Sequence, residues 1–314
     1  MKNILVTGGA GFIGSEIVNR LVEEHNKVSV LDNLSTGSLD NLEDVLSDLE
    51  FIRGDIRDLD LVKKAIKKKE VVYHMAAEVG VDRILKKDTE VCETDYLSAV
   101  DLFKTAAKAG VGVLFFASSS EVYGKFPQDR LPMKEDDRFT PDTVYGWAKY
   151  GGELRLREIS EKTEMAGVSA RYFNVYGARQ TLNGYCVPNF IDAALNDQDI
   201  RIHGDGSQTD GSQTRDLTYI DDAVKMTLAI TNPKFTGEVF NIGTQTEVSM
   251  LNLANIIRGL TGSKSRISFI KPRRPTDLYH KMGDASKILN ATGIKSETSL
   301  NGGLIQCVEY AREH

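Results

Sequence analysis

The stretch Thr7-Gly8-Gly9-Ala10-Gly11-Phe12-Ile13-Gly14 constrains this chain more than any other. It follows an apolar run at 4–7 and precedes a segment in which Phe12, Ile13, Ile17, Val18, Leu21 and Val22 recur on one helical face. The glycines therefore occupy a strand-to-helix turn. Without a Cβ, such a turn closes tightly and lets another group approach the backbone. The helix N-terminus beyond it presents N–H groups with no intrahelical partner and the positive end of a dipole, which suits a phosphate. The glycines can be read at 9, 11 and 14 or at 8, 11 and 14, and either spacing serves a dinucleotide pyrophosphate. Asp32 ends the next apolar run, where a carboxylate accepts hydrogen bonds from an adenosine ribose and repels a 2′-phosphate. No arginine follows in Asn33-Leu34-Ser35-Thr36-Gly37, so NAD is favoured over NADP.

Short apolar runs at 4–7, 28–32, 51–53, 71–77, 113–118 and 168–176 alternate with segments of helical period at 59–68 and 89–109. That alternation predicts an α/β fold with a Rossmann-type doubly wound parallel sheet. Beyond residue 180 the runs at 201–203, 217–220, 239–242 and 267–270 are short and mix with short helical segments, which predicts a smaller C-terminal α/β lobe. The expected division is a first domain over 1–178, joined by 214–244, and a lobe made of 179–213 and 245–314. A length of 314 residues suits this at ~150 per domain.

Composition narrows the partners. Hydrophobic residues at 41% and charged residues at 27% exclude a disordered or fibrous chain. Lys plus Arg is 39 against 45 Asp plus Glu, a net charge of −6, which argues against nucleic acid as a partner. The lysines at 63, 64, 67, 68 and 69 read as a solvated helix face. Three cysteines, Cys92, Cys186 and Cys307, fit neither a disulfide framework nor a zinc site, so no metal and a reducing, cytoplasmic setting are expected. The N-terminal apolar run is too short for a signal peptide or a membrane span, so no membrane partner is expected. A direct repeat, Gly206-Ser-Gln-Thr-Asp then Gly211-Ser-Gln-Thr-Arg, is too short to be a fold repeat.

Chemistry is carried by Tyr145-Gly-Trp-Ala-Lys149, whose spacing brings a phenol and an ammonium to one helical face. A nearby cation favours phenolate and can lower the tyrosine pKa from ~10 toward neutrality, making it a base. With Ser118-Ser119-Ser120 ending a buried strand, the set suits removal of a hydroxyl proton during hydride transfer.

These motifs resemble the extended short-chain dehydrogenase/reductase family, in its nucleotide-sugar epimerase, dehydratase and decarboxylase branch. The likeness rests on TGGAGFIGS at 7–15, DNLSTG at 32–37, GDI at 54–56, HMAA at 74–77 and SSSEVYG at 118–124. It continues through YGWAK at 145–149, RYFNVYG at 171–177, RDLTYIDD at 215–222 and RPTD at 274–277. The resemblance implies NAD against Gly8, Gly11, Phe12, Ile13, Gly14, Asp32, Asn33, Ser35, Thr36, Gly37, Asp55, Ile56, Ala76, Ala77, Tyr145, Lys149 and Phe173. It implies that Ser119 binds the sugar hydroxyl, Tyr145 is the base, and Lys149 holds the nicotinamide ribose and lowers the tyrosine pKa. Asn174 would meet the diphosphate of a UDP-sugar, Arg215 and Arg274 would clamp its phosphates, Asp277 would accept from its ribose, and Val187 would line the substrate site. A homodimer through the helices near 89–109 and 145–163 is implied by the same resemblance.

The expected activity is that of an NAD-dependent UDP-sugar 4-epimerase working through a transient 4-keto sugar, on glucose or N-acetylglucosamine nucleotides. Glu121 supports an alternative, a UDP-glucuronate decarboxylase or sugar dehydratase with a carboxylate at C5. A non-catalytic NAD-binding scaffold is disfavoured by Ser119, Tyr145 and Lys149 together. Two residues depart from the family pattern. Lys281 falls where the family limits the sugar's C2 substituent; it could pair with an acidic sugar, although lysine ordinarily prefers solvent. Asp95 stands where an asparagine is usual near the cofactor.

Overall fold

β1 (Asn3–Thr7) is buried along all but its first residue, and its side chains serve two separate cores. Alternate residues of a strand point to opposite faces. Ile4 and Val6 accordingly pack with Ile17, Val18, Ala223 and Val224 on one side, while Leu5 packs with Leu102, Phe103, Phe116 and Leu156 on the other. A strand covered on both faces is uniformly apolar, as expected of a parallel sheet wrapped by helices. This computed structural model describes residues 1–80, 87–138, 140–182, 184–204, 211–271 and 280–314.

The main sheet adds β2 (Lys27–Asp32), β3 (Leu49–Arg53), β4 (Val71–His74), β5 (Val113–Ser119), β6 (Ala166–Tyr172) and β10 (Val239–Ile242). Their order is β10-β6-β5-β4-β1-β2-β3, with every neighbouring pair parallel. The chain winds outward from β1 in one direction and, from β4 onward, in the other. The crevice at this switch point, beyond the carboxyl ends of β1 and β4, is where open sheets of this kind bind ligands. The fold is thus a Rossmann-type α/β sheet.

Beyond it, β7 (Asn174–Tyr176), β9 (Thr214–Tyr219) and β11 (Glu247–Ser249) form a three-stranded sheet, and β8 (Ile200–His203) pairs with β12 (Ile267–Ile270). Among the described residues no helix is long and apolar enough to cross a membrane.

Two elements differ from the sequence expectation. The apolar run 168–176 is two strands in different sheets, broken at Phe173, whose N–H donates to the Ile242 carbonyl at 3.0 Å. Phe173 is buried with Val122, Tyr123, Phe126 and Met133, and no glycine or proline in 168–176 marks the break. The helix expected over 89–109 begins as a short turn, Asp88–Val91, widens to a π-helical stretch over Cys92–Leu97, and regains α geometry at Ser98–Lys108. Ser98 Oγ donates to the Glu93 carbonyl at 2.6 Å within this wider turn. Thr94 and Asp95 face inward from it, both buried.

Candidate active site

Gly8 has φ +68°, and a Cβ there would lie 2.6 Å from the Ala76 amide nitrogen, so β1 turns against β4's exit only because the residue is glycine. A Cβ on Gly14 would collide with the Gly8 carbonyl oxygen. A Cβ on Gly9 would instead point into the core, 2.8 Å from a Val30 methyl group. A cavity of about 840 Å³ opens beyond this turn, lined by Gly8, Gly11, Phe12, Ile13 and Gly14. The 8, 11, 14 spacing is therefore the one that meets the cavity. Asp32 is buried beside it, its Oδ2 accepting from the Ala10 N–H at 3.0 Å and its Oδ1 from the Leu34 N–H at 2.8 Å.

Asn33, Ser35, Thr36, Asp55, Ile56, Ala76 and Ala77 line the same cavity. Gly37 is absent from its lining; a Cβ there would press on the Ala10 carbonyl at 2.6 Å, which makes Gly37 a packing glycine under the turn. Asp55 is engaged by Arg57 at 2.9 and 2.8 Å and by Asn33 Nδ2 at 2.9 Å, and these hydrogen bonds hold its carboxyl down at about 2. The backbone cradle, the helix terminus and the Asp32 carboxylate fit a dinucleotide.

At the other end, β5 delivers Ser119, which caps a short helical turn by accepting from the Glu121 N–H at 3.2 Å. The helix Val144–Lys162 begins at Thr143, whose hydroxyl accepts from the Gly146 N–H at 3.0 Å. That start aims Tyr145 and Lys149 at Ser119, and all three line the cavity.

Lys149 is buried, with its ammonium 3.0 Å from Asp95 Oδ1 and 5.5 Å from the centre of the Tyr145 ring. Desolvation pushes the Tyr145 phenol well above its ordinary range, and the negative charge of Asp95 pushes it further; a hydrogen bond with Ser119 opposes both. The ring keeps a partly exposed face toward the cavity, so solvent there moderates the effect. This differs from the expectation of a lowered tyrosine, because burial raises the phenol first and the Asp95 carboxylate beside Lys149 adds to it.

Phe173, Asn174, Val187 and Arg215 line the wider part of the cavity. The Asn174 amide oxygen is buried with no hydrogen-bond partner among the described residues, which leaves it to a ligand. Arg274, Asp277 and the first copy of the GSQT repeat lie outside the described residues. Lys281 is not in solvent: it is 7% exposed, lines the cavity, and forms an ion pair with Glu121 at 2.5 Å. Its backbone is held because the Lys281 carbonyl accepts from the Asp216 N–H at 3.0 Å. Asp216 in turn takes hydrogen bonds from Thr244, Gln245 and Gly283, so this acid of the RDLTYIDD motif ties segments together.

Beneath Ser119, a buried network fixes β5 to its neighbours. Ser118 Oγ donates to Glu153 at 2.5 Å, and Arg171 donates to both oxygens of Glu153 at 3.0 and 2.8 Å and to Tyr123 at 3.1 Å. Tyr185, which sequence reasoning missed, also lines the cavity and contributes to the field at Tyr145.

Oxidising a hydroxyl requires a base, a donor that orients the oxygen and a hydride acceptor within one enclosure. The cavity joins a dinucleotide cradle to a serine, a tyrosine and a lysine, which defines a dinucleotide-dependent enzyme of the short-chain dehydrogenase class. Residues 4–243 match the NAD dependent epimerase/dehydratase family; the chain belongs to that family, and NAD is its cofactor. It is 32% identical over 328 residues to the UDP-N-acetyl-alpha-D-glucosaminuronate decarboxylase of Bacillus cytotoxicus, covering 99% of this chain and 98% of that one. It is 33% identical over 314 residues to the UDP-glucose 4-epimerase of Mycolicibacterium smegmatis, covering 98% of each. Among solved structures, the UDP-glucose 4-epimerase of Thermotoga maritima with UDP-glucose superposes with a TM-score of 0.91 at 31% identity, over 99% of both chains.

Proposed function

We propose that the protein is an NAD-dependent UDP-sugar 4-epimerase acting on the glucose or N-acetylglucosamine nucleotide. The observation that carries this reading is at the Tyr145 end of the cavity, where Ser119 and Tyr145 line the wall together while the neighbouring carboxylate, Glu121, is ion-paired with Lys281. Epimerisation needs a base and an orienting donor at the 4-hydroxyl and nothing at C5. Elimination or decarboxylation needs an acid or base at C5, and a carboxylate held by a lysine is a poor proton donor.

The turn at Gly8, Gly11 and Gly14, Asp32 and Lys149 would hold NAD, which when bound supplies the hydride acceptor and donor. Ser119 Oγ and the Tyr145 hydroxyl orient the sugar 4-hydroxyl, and Tyr145 takes its proton as the 4-keto sugar forms. After the ketone presents its other face, Tyr145 returns the proton to the 4-oxygen. Asn174 and Arg215 would meet the diphosphate, with Val187 against the sugar nucleotide. In this reading 1–178 joined by 214–244 forms the cofactor domain, and 179–213 with 245–314 forms the nucleotide-sugar lobe. The exposed Leu97, Trp147 and Leu154 support a homodimer through the helices near 89–109 and 145–163.

Lys281 favours a second reading, decarboxylation of a UDP-uronate, because a buried cation in the cavity wall suits a sugar carboxylate. Proton NMR of the enzyme with UDP-glucose, UDP-N-acetylglucosamine and UDP-glucuronate separates the two. The expected result is a new anomeric signal from the 4-epimer of a neutral sugar; release of carbon dioxide from UDP-glucuronate would overturn the epimerase assignment.

A further inference from the structure

Asp95 lies on the π-helical stretch before Ser98, where the widened turn carries its side chain under the active-site helix. It has no exposed surface, and its partner Lys149 is 2% exposed. Asp95 Oδ1 is 3.0 Å from Lys149 Nζ, while Asp95 Oδ2 accepts from the Glu78 N–H at 3.0 Å, so the carboxylate is anchored from two directions. Lys149 is further enclosed by the Phe116 ring at 5.1 Å and by the neutral His74. A buried ammonium 3.0 Å from a buried carboxylate forms a pair of zero net charge, whichever of the two holds the proton. Its field at a third group is that of a dipole rather than a cation.

We propose that Asp95 is a positioning residue that fixes Lys149 and cancels its charge, so that Tyr145 becomes a base at higher pH than an unopposed lysine would allow. This rests on the reading of Tyr145 as the base. The other groups facing Tyr145 do not replace the lost cation. Glu121 and Tyr185 bring only negative or neutral character, and Ser119 contributes a single hydrogen bond. Lys281, the next cation in the cavity wall, is bound to Glu121. The arrangement also holds the lysine in place for a cofactor ribose without letting it swing toward the phenol.

The test follows the Tyr145 ring carbon directly, by NMR of protein labelled at tyrosine Cζ, with the resonance assigned by its loss in Tyr145→Phe. In Asp95→Asn the midpoint is expected to fall by about one pH unit or more, since one full charge at this range shifts a neighbour by that much. The acid limb of kcat/KM is expected to move by the same amount, and Asp95→Glu to restore the wild-type position. An unchanged midpoint in folded Asp95→Asn would overturn the proposal. The double variant Asp95→Leu with Lys149→Met provides a second route, because it removes the buried pair without stranding either charge. Removing a pair of zero net charge is expected to move the Tyr145 midpoint by less than about half a unit, whereas a rise of more than about one unit would show that the pair acts as a net cation and sink the idea. Full activity in Tyr145→Phe would instead remove Tyr145 as the base, an outcome distinct from either titration result.

Discussion

His74 lies between Phe103 and Phe116, with ring centroids 5.9 and 5.8 Å away, and its Nδ1 is 2.7 Å from Thr7 Oγ1. Burial, reinforced by the charge of Lys149, pulls its pKa down to about 3, so the imidazole is neutral in the folded protein. In the unfolded chain it titrates near ~6.5. Between those values the unfolded state binds a proton that the folded state refuses, so stability is complete above ~6.5 and falls as pH drops toward 3. One such group contributes a slope of at most about 1.4 kcal/mol per pH unit. His74→Gln is expected to remove that component, measured as a flatter pH dependence of urea unfolding between pH 6.5 and 4.5 than in the wild type. The histidine of the HMAA motif thus supports β1 and β4 rather than chemistry. At this scale the sequence reading singled out Ser119, Tyr145 and Lys149 from residue type and helical spacing, and all three line one cavity. It left Lys281 between an acidic sugar and solvent and favoured solvent, since a lysine's surroundings are set by which distant segment lies over it.

The Val144–Lys162 helix and β5 form one unit with β6 through the Ser118, Glu153 and Arg171 network, in which the two charged side chains are 3% and 2% exposed. A buried pair of this kind costs little more than a well-packed apolar replacement, but losing one member strands the other charge. Arg171→Met is expected to destabilise the fold by roughly 3–5 kcal/mol, and the double variant Arg171→Met with Glu153→Leu to recover most of that. Denaturant unfolding of the three proteins checks it; equal loss in the single and double variants would contradict the pairing. The elements themselves were largely legible, since buried parallel strands read as short apolar runs and helices as 3.6-residue periods. The break at Phe173 was not, because 168–176 holds no glycine or proline, and its mixture of residues reads the same whether the strand continues or changes sheets. The π-helical stretch at Cys92–Leu97 escaped for a related reason. A single wide turn shifts the phase of the pattern by one residue, too little to register over so short a segment.

For the whole molecule, the seven-stranded sheet places the cavity at its switch point, and the proposed dimer would lie on the helices covering one face of that sheet. Trp147 is 56% and Leu154 47% exposed, large apolar surfaces on the helix that also carries Tyr145. Leu154→Glu is expected to shift the protein from dimer to monomer in sedimentation velocity; a monomeric wild type would contradict the dimer outright.

What the sequence determined by itself is local. The glycines between a strand and a helix, the acid ending the second strand, and the tyrosine and lysine one helical turn apart follow from short-range periodicity and backbone sterics, and they sufficed for the fold class and the cofactor. The tertiary structure decided which glycine spacing faces the cavity, that Glu121 meets Lys281 across 160 residues, and that Asp95 takes the charge of Lys149. Those outcomes depend on how sheets, loops and one widened helical turn bring distant side chains within 3 Å of each other, and no short-range pattern encodes that distance.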